Sequence, residues 1–272
     1  MIDAGPLSSQ LLPPLLPLAG LTFLLGLRHG MDPDHLAVVD NLTRFNAGTA
    51  PERARWCGLF FSLGHGAMVT LVAALLAVAA RAQQIPAWVE TAGNLVSMAF
   101  LFAIGILNLM TLARTPAHQA TTPRGLRGGL FARATRVSHP LLISLIGAAF
   151  AISMDTMSQA AVFSLAASGE FAWGVALLLG LIFTLGMLLV DAANGLWVYR
   201  LSNSAGANTI WSRRLTLTIG VLSLGIALFG LARLANEHLD HWYDAHTLQI
   251  GACTIVLLAA VVLIGRMRRV AA

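Results

Sequence analysis

The chain contains no lysine, and only 11% of its 272 residues are charged. Soluble domains typically carry about 25%. A soluble protein of this length would need a wetter surface, so the deficit, set against 57% apolar residues, argues for a polytopic membrane protein. There are only two cysteines, Cys57 and Cys253, both at or inside apolar segments. They form no motif and carry no information on redox compartment. The first apolar stretch has no basic region ahead of it, which argues against a cleaved signal peptide. No phosphate-binding glycine loop and no His-Glu-x-x-His motif occurs in the chain. The net charge of +5 comes from arginines in short loops and gives no nucleic-acid signal.

What is present instead is a series of long apolar runs. A membrane-crossing helix needs roughly 20 mostly apolar residues. Seven segments qualify: Leu15–Asn41, Trp56–Ala80, Trp88–Leu112, Pro140–Ala167, Phe171–Leu201, Leu215–Leu234 and Thr247–Gly265. Their unbroken length favours helices over barrel strands. The expected fold class is therefore an all-α polytopic membrane protein with about seven transmembrane helices. Trp56, Trp88, Trp173, Trp211 and Trp242 each fall near a segment end, as an interfacial belt requires.

The arginines fix an expected orientation. The odd-numbered loops and the C-terminus hold fourteen of them, from Arg44 to Arg269, whereas the opposite loops hold only Arg81 and Arg233. Cytoplasmic loops retain positive charge, so the N-terminus is expected outside and the C-terminus in the cytoplasm. The stretch between Leu112 and Pro140, rich in Gly, Thr and Arg, is the one real linker and reads as a topology signal.

Against this apolar background, Leu27–His35 reads LRHGMDPDH and carries Arg28, His29, Asp32, Asp34 and His35. At about 1.5 Å per residue, His35 lies roughly 13 Å from the inner end of its helix, with Asp32 and His29 deeper. At 100° per residue, His29, Asp32 and His35 share one arc, while Asp34 points away from it. Pro33 lacks an N–H for the carbonyl of His29, so a kink is expected there, with that carbonyl freed. Arg28 is the expected partner of Asp32. Other spans add His65 (in FSLGHG), Asp155 (in ISMDT), and Asp191 and Asn194 (in GMLLVDAANG) at similar depth. A central Asp costs on the order of 3 kcal/mol on the lenient insertion scale, and one shared polar site accounts for several spans carrying that cost. Imidazoles with carboxylates suit a first-row divalent cation. Asp34 is open to three roles: orienting a ligating histidine, accepting a proton, or lining an exit path. Asp40 and Asn41 read as interfacial, NEHLDHWYDAH as a solvated acidic loop, and His118 and His139 as incidental.

The motifs recur. Met31–Asp32 matches Met154–Asp155, 123 residues later; FSLG at Phe61–Gly64 matches FTLG at Phe183–Gly186, 122 later; IGIL at Ile104–Leu107 is echoed by LGIA at Leu224–Ala227, 120 later. Three helices per unit start the second unit on the opposite side, an inverted-topology repeat of the kind common in secondary transporters. The whole of 1–272 then reads as one transmembrane domain. It comprises a first unit over 15–112, a basic cytoplasmic loop over 113–139, a second unit over 140–234 and a final helix over 247–265.

At these residues the sequence resembles the nickel/cobalt transporter family, NiCoT. That family's signature is a histidine, four residues, then Asp-His, in an Arg-His-Ala-x-Asp-Ala-Asp-His setting; here it is RHGMDPDH, Arg28–His35. Further family motifs resemble SLGHG at Ser62–Gly66, MDT at Met154–Thr156 and GMLLVDAANG at Gly186–Gly195, in the same order. The resemblance implies high-affinity uptake of Ni²⁺ or Co²⁺ by a secondary permease of the cytoplasmic membrane. It also implies that His29, Asp32, Asp34, His35 and His65 matter for transport. The chain departs from the pattern at Gly30 and Pro33, where Ala is usual, and at Gln159 and Asn194, where the family carries an acidic residue. The last two changes bear on metal identity and affinity.

The expected function is thus a metal permease with no prosthetic group, its partners being the transported Ni²⁺ or Co²⁺ and the lipid bilayer. With no nucleotide-binding loop, transport is secondary or depends on a separate subunit. A divalent-metal efflux permease and an intramembrane metalloenzyme are the alternatives. Against the enzyme, only three of the eight histidines lie in spans.

Overall fold

The computed structural model describes residues 7–47, 50–78, 87–119, 121, 139–152, 160, 162–163, 172–205 and 209–270. Every regular element among them is an α-helix. These are α1 (Leu7–Gly30), α2 (Pro33–Ala47), the short α3 (Pro51–Ala54), α4 (Cys57–Val78), α5 (Ala87–Arg114), α6 (Pro140–Phe150), α7 (Ala172–Ala205), α8 (Thr209–Ala235) and α9 (Glu237–Val270). Stretches within α4, α5, α7 and α8 (Cys57–Val78, Thr91–Arg114, Ala172–Arg200 and Ser212–Ala235) are long and apolar enough to cross a bilayer. Their outward faces expose Leu71, Leu75, Leu181, Leu189, Leu217, Val221 and Leu228 to the surroundings. Lipid welcomes such a surface and water does not, and the chain is a multi-pass membrane protein.

The expected break in the first span is there, but its chemistry differs from expectation. Pro33 does not interrupt a continuous helix. The chain leaves α1 at Gly30, turns through Met31 and Asp32, and restarts with Pro33 as the first residue of α2. Proline suits that position, because its missing N–H has no partner in a first turn and its φ is already helical. The carbonyl of Asp32 accepts the N–H of Leu36 at 3.1 Å, the first bond of α2. The carbonyl of His29 is not freed, since the N–H of Asp32 donates to it at 3.0 Å.

Two further expectations are corrected. The span Pro140–Ala167 is not one continuous helix: α6 covers 11 residues and gives way to a turn at Ala151–Ile152. A helix of that length rises only about 16 Å. The segment NEHLDHWYDAH is helical rather than a loop and forms the beginning of α9. Asn236 Oδ1 accepts the N–H groups of His238 at 3.0 Å and Leu239 at 3.3 Å, a side-chain cap on the helix start. Arg233 then pairs with Asp240 and lies 3.7 Å above the ring of Tyr243. Asp40 and Asn41, expected near the inner end of the span, are enclosed by other helices, as is Arg44.

Close helix approach at glycine builds the bundle around α2. A Cβ on Gly58 would strike the carbonyl of Asp191, one on Gly66 the side chain of Thr184, and one on Gly180 Thr70. The pairing runs in opposite senses along the two chains, so α4 and α7 are antiparallel. Two further crossings share a pattern. Between α1 and α7, Gly26 meets Phe183 and Gly186 meets Phe23. Between α6 and α4, Gly147 meets Phe61 and Gly64 meets Ser144. Packed between these helices, α2 is buried without a gap from His35 to Arg44.

Candidate metal centre

Three imidazoles converge where α1 ends, α2 begins and α4 passes. His29, His35 and His65 are 4%, 1% and 0% exposed. Their ring centroids lie 4.6 Å (His29–His35), 4.7 Å (His35–His65) and 5.1 Å (His29–His65) apart. One nitrogen of each lies within 4.8 Å of the others. The break at Met31–Asp32 makes this possible. It lets His29, at the end of one helix, and His35, in the first turn of the next, lean on the same point that His65 reaches from α4. Phe183 lies tilted beside His29 at 5.4 Å and Phe61 meets His35 edge-on at 5.1 Å, walling the cluster with apolar rings.

The carboxylates stand behind the imidazoles. Asp191 Oδ2 lies 3.2 Å from His35 Nδ1 and accepts the Ser62 hydroxyl at 2.7 Å. A carboxylate can only accept, so Nδ1 of His35 carries the proton and its Nε2 lone pair is left for a ligand. Asp32 Oδ2 lies 3.0 Å from Nδ1 of His29, an electrostatic contact rather than an aligned hydrogen bond. His29 and His65 face each other through Nε2 at 3.2 Å. Two neutral imidazoles in that arrangement share one proton. With metal–nitrogen bonds of about 2 Å, two imidazoles on one ion hold their nitrogens roughly 2.9–3.4 Å apart at octahedral to tetrahedral angles, a range that includes the observed spacing.

The remaining expected site residues fall as follows. Asp34 is half-buried, and its Oδ1 accepts the N–H of His35 at 2.9 Å, an acidic group in the first turn of α2. Arg28 is half-buried on the last turn of α1. Asn194 lies one turn from Asp191 and donates to the carbonyl of Leu36 at 3.4 Å, so it meets the backbone of α2. Asp155 lies outside the described residues. His139 caps α6, its Nδ1 accepting the N–H of Leu141 at 3.3 Å, and His118 is exposed. Sequence reasoning missed Ser62. Its signal was its place three residues before His65, on the same face of α4.

The model of the family described as NicO, high-affinity nickel-transport protein, matches residues 15–269. The high-affinity nickel transport protein of Cupriavidus necator is 33% identical over 247 residues, covering 79% of this chain and 68% of that protein. The nickel transporter NicT of Mycobacterium tuberculosis is 30% identical over 238 residues, covering 77% of this chain and 64% of that protein. The cobalt transport protein NhlF of Rhodococcus rhodochrous is 28% identical over 210 residues, covering 66% and 58%. The chain thus spans about two thirds of the length of the relatives it matches. No solved structure matches it. A bundle of apolar helices with three buried histidines at one point, matched by this family model over nearly its whole length, belongs to the high-affinity nickel-transport protein family.

Proposed function

We propose that this protein carries Ni²⁺ or Co²⁺ into the cell across the cytoplasmic membrane, and that His29, His35 and His65 hold the ion in transit. The observation that carries the reading is the convergence of three buried imidazoles with two carboxylates directly behind them. Neutral imidazole nitrogen suits nickel and cobalt. The two carboxylates, Asp32 and Asp191, match in number the two positive charges of the ion, so the loaded centre adds little net charge to the membrane interior. On binding, the ion takes the Nε2 lone pair of His35 and sits between Nε2 of His29 and of His65, the proton shared there passing to Nδ1 of the ring that carried it, so that both imidazoles stay neutral. Asp191, braced by Ser62, fixes the tautomer and tilt of His35. Asp34 steadies the first turn of α2, and Asp155 and Asn194 belong to the pathway around the centre.

Seven spans, an external N-terminus and an inverted pair of three-helix units complete the proposal. Supporting the repeat, the α1–α7 and α6–α4 crossings use residues 121 to 122 positions apart, Phe23 and Gly26 against Ser144 and Gly147, Phe183 and Gly186 against Phe61 and Gly64. The equivalent helices α4 and α7 also run antiparallel, as inversion requires. The orientation rests on the arginine asymmetry. The membrane potential alone favours inward movement of a divalent ion by roughly 4.6 kcal/mol per 100 mV. Radiolabelled nickel uptake into cells expressing the protein, with Co²⁺, Zn²⁺ or Mn²⁺ as competitors, tests the reading. Cobalt competes strongly and manganese weakly on this account. Equal competition by manganese, an ion that prefers oxygen ligands, would remove the imidazole centre from the explanation.

A further inference from the structure

Beyond His35, α2 carries buried polar groups that the histidine centre does not use. Asn41 is fully engaged: its amide donates to the Ala37 carbonyl and to Ser223, and its oxygen accepts from Asn108 at 2.6 Å. Arg44 Nη2 donates to Thr216 at 2.8 Å, and Thr216 in turn contacts Thr121 at 2.9 Å. These bonds tie α2 to α5 and α8. Asp40, only 3% exposed, makes no hydrogen bond within either network, and its charge partner is Arg44, one turn further along α2. Its Oδ2 and Nη1 of Arg44 are buried with no hydrogen-bond partner among the described residues, and the buried hydroxyl of Thr43 meets only the thiol of Cys57. Asp40 and Thr43, three residues apart, are neighbours on the helix surface. Asp40 lies five residues past His35, about 7.5 Å further along the helix axis. A carboxylate inside a membrane protein marks an ion pathway by default, and a buried polar atom without a partner calls for an ion or a water.

We infer that Asp40, with Thr43 beside it, is a second station for the divalent cation, occupied after the ion leaves the histidine centre and before it reaches the cytoplasm. The inference rests on the uptake reading and orientation proposed above. Its logic is a change of ligand. The first centre offers imidazole nitrogen, which nickel and cobalt bind tightly; the second offers carboxylate and hydroxyl oxygen, which they bind less tightly. An ion captured firmly is thereby handed to a site from which it can depart. Arg44, one turn beyond Asp40 and anchored by Thr216, sets a positive charge past the station and shortens the ion's stay there.

The test uses the full chain, with nickel uptake measured in proteoliposomes and nickel binding measured by equilibrium dialysis of the same preparations. Asp40→Asn keeps binding within about threefold of wild type while uptake slows by about tenfold or more, and Asp40→Glu, which restores the carboxylate, recovers most of the loss. Wild-type uptake in Asp40→Asn overturns the inference. So does loss of its binding to the level of His35→Ala, or an Asp40→Glu variant as slow as Asp40→Asn. If Asp40→Asn does not fold, Asp40→Asn combined with Arg44→Gln takes its place, compared with Arg44→Gln alone. Slower uptake in the double variant with binding intact supports the station, and equal rates overturn it. Equal binding by wild type and His35→Ala would instead sink the histidine centre, a separate outcome.

Discussion

At the crossing of α1 with α7, His29 lies 5.4 Å from Phe183; at the crossing of α6 with α4, Phe150 lies 5.7 Å from Phe61. Glycines close both crossings in the same pattern, Gly26 with Gly186 and Gly147 with Gly64. The side chains differ. The first crossing brings His29 against His65 and His35, whereas Phe150 at the second faces Phe61 and Phe100 and joins a cluster of apolar residues. The residue 122 positions after His65 is Met187, buried in the second apolar cluster. Backbone approach and chemistry are therefore separable here: small residues set how closely helices pass, and the side chains at one crossing bring three imidazoles together. Among the described residues, the first crossing gathers three imidazoles and the second gathers apolar rings.

The largest expected effects break that asymmetry. Alanine at His29, His35 or His65 lowers nickel uptake by more than the roughly 10–100-fold that loss of an outer partner causes, with the protein still found in the membrane fraction. Phe150→Leu and Met187→Leu leave uptake near wild type. Loss of uptake in Met187→Leu beside normal uptake in His65→Ala would invert the assignment. Next comes the support behind His35. Asp191→Asn is expected to cost roughly 10–100-fold in nickel affinity. Ser62→Ala removes one hydrogen bond to the carboxylate but leaves the carboxylate itself on His35, and is expected to cost less than Asp191→Asn. Equal losses in the two would mean that Ser62, not the carboxylate, sets the ring.

Smaller effects test the shared architecture. Gly64→Ala and Gly186→Ala each add a methyl group against backbone, which costs about 1–3 kcal/mol. Both lower the melting temperature in detergent without changing the order of competing metals; a changed order in Gly186→Ala alone would tie that crossing to the ion. The smallest effect belongs to Asn194→Asp. The family pattern carries an acidic residue where this chain has asparagine, a departure that bears on affinity. With the amide of Asn194 directed at the carbonyl of Leu36, a carboxylate loses its donor and meets an oxygen, and competition is expected to shift by only about threefold.

The centre was legible in the sequence because the membrane makes polar residues conspicuous. His29, Asp32, His35 and His65 stood out against apolar runs, and helical periodicity placed the first three on one arc. Periodicity did not reveal the break, because a proline within an apolar run reads equally as an internal kink or as the first residue of a new helix. Only the second arrangement satisfies the His29 carbonyl. Nor did sequence reveal the burial of Asp40 and Arg44. Position along a span gives an expected depth but not what surrounds it; α2 is enclosed by other helices, and tertiary packing buries its inner end. The start of α9 was missed for a related reason: its charged first turns look like a loop until Asn236 is recognised as the cap.

X-ray absorption at the nickel edge of the loaded, purified protein tests the central claim most directly. The account predicts imidazole nitrogens at about 2 Å, with the distinctive outer scattering of histidine rings. It also predicts one fewer such ring in His65→Ala. A shell made of oxygen alone, or a histidine count unchanged by removing His65, would contradict it.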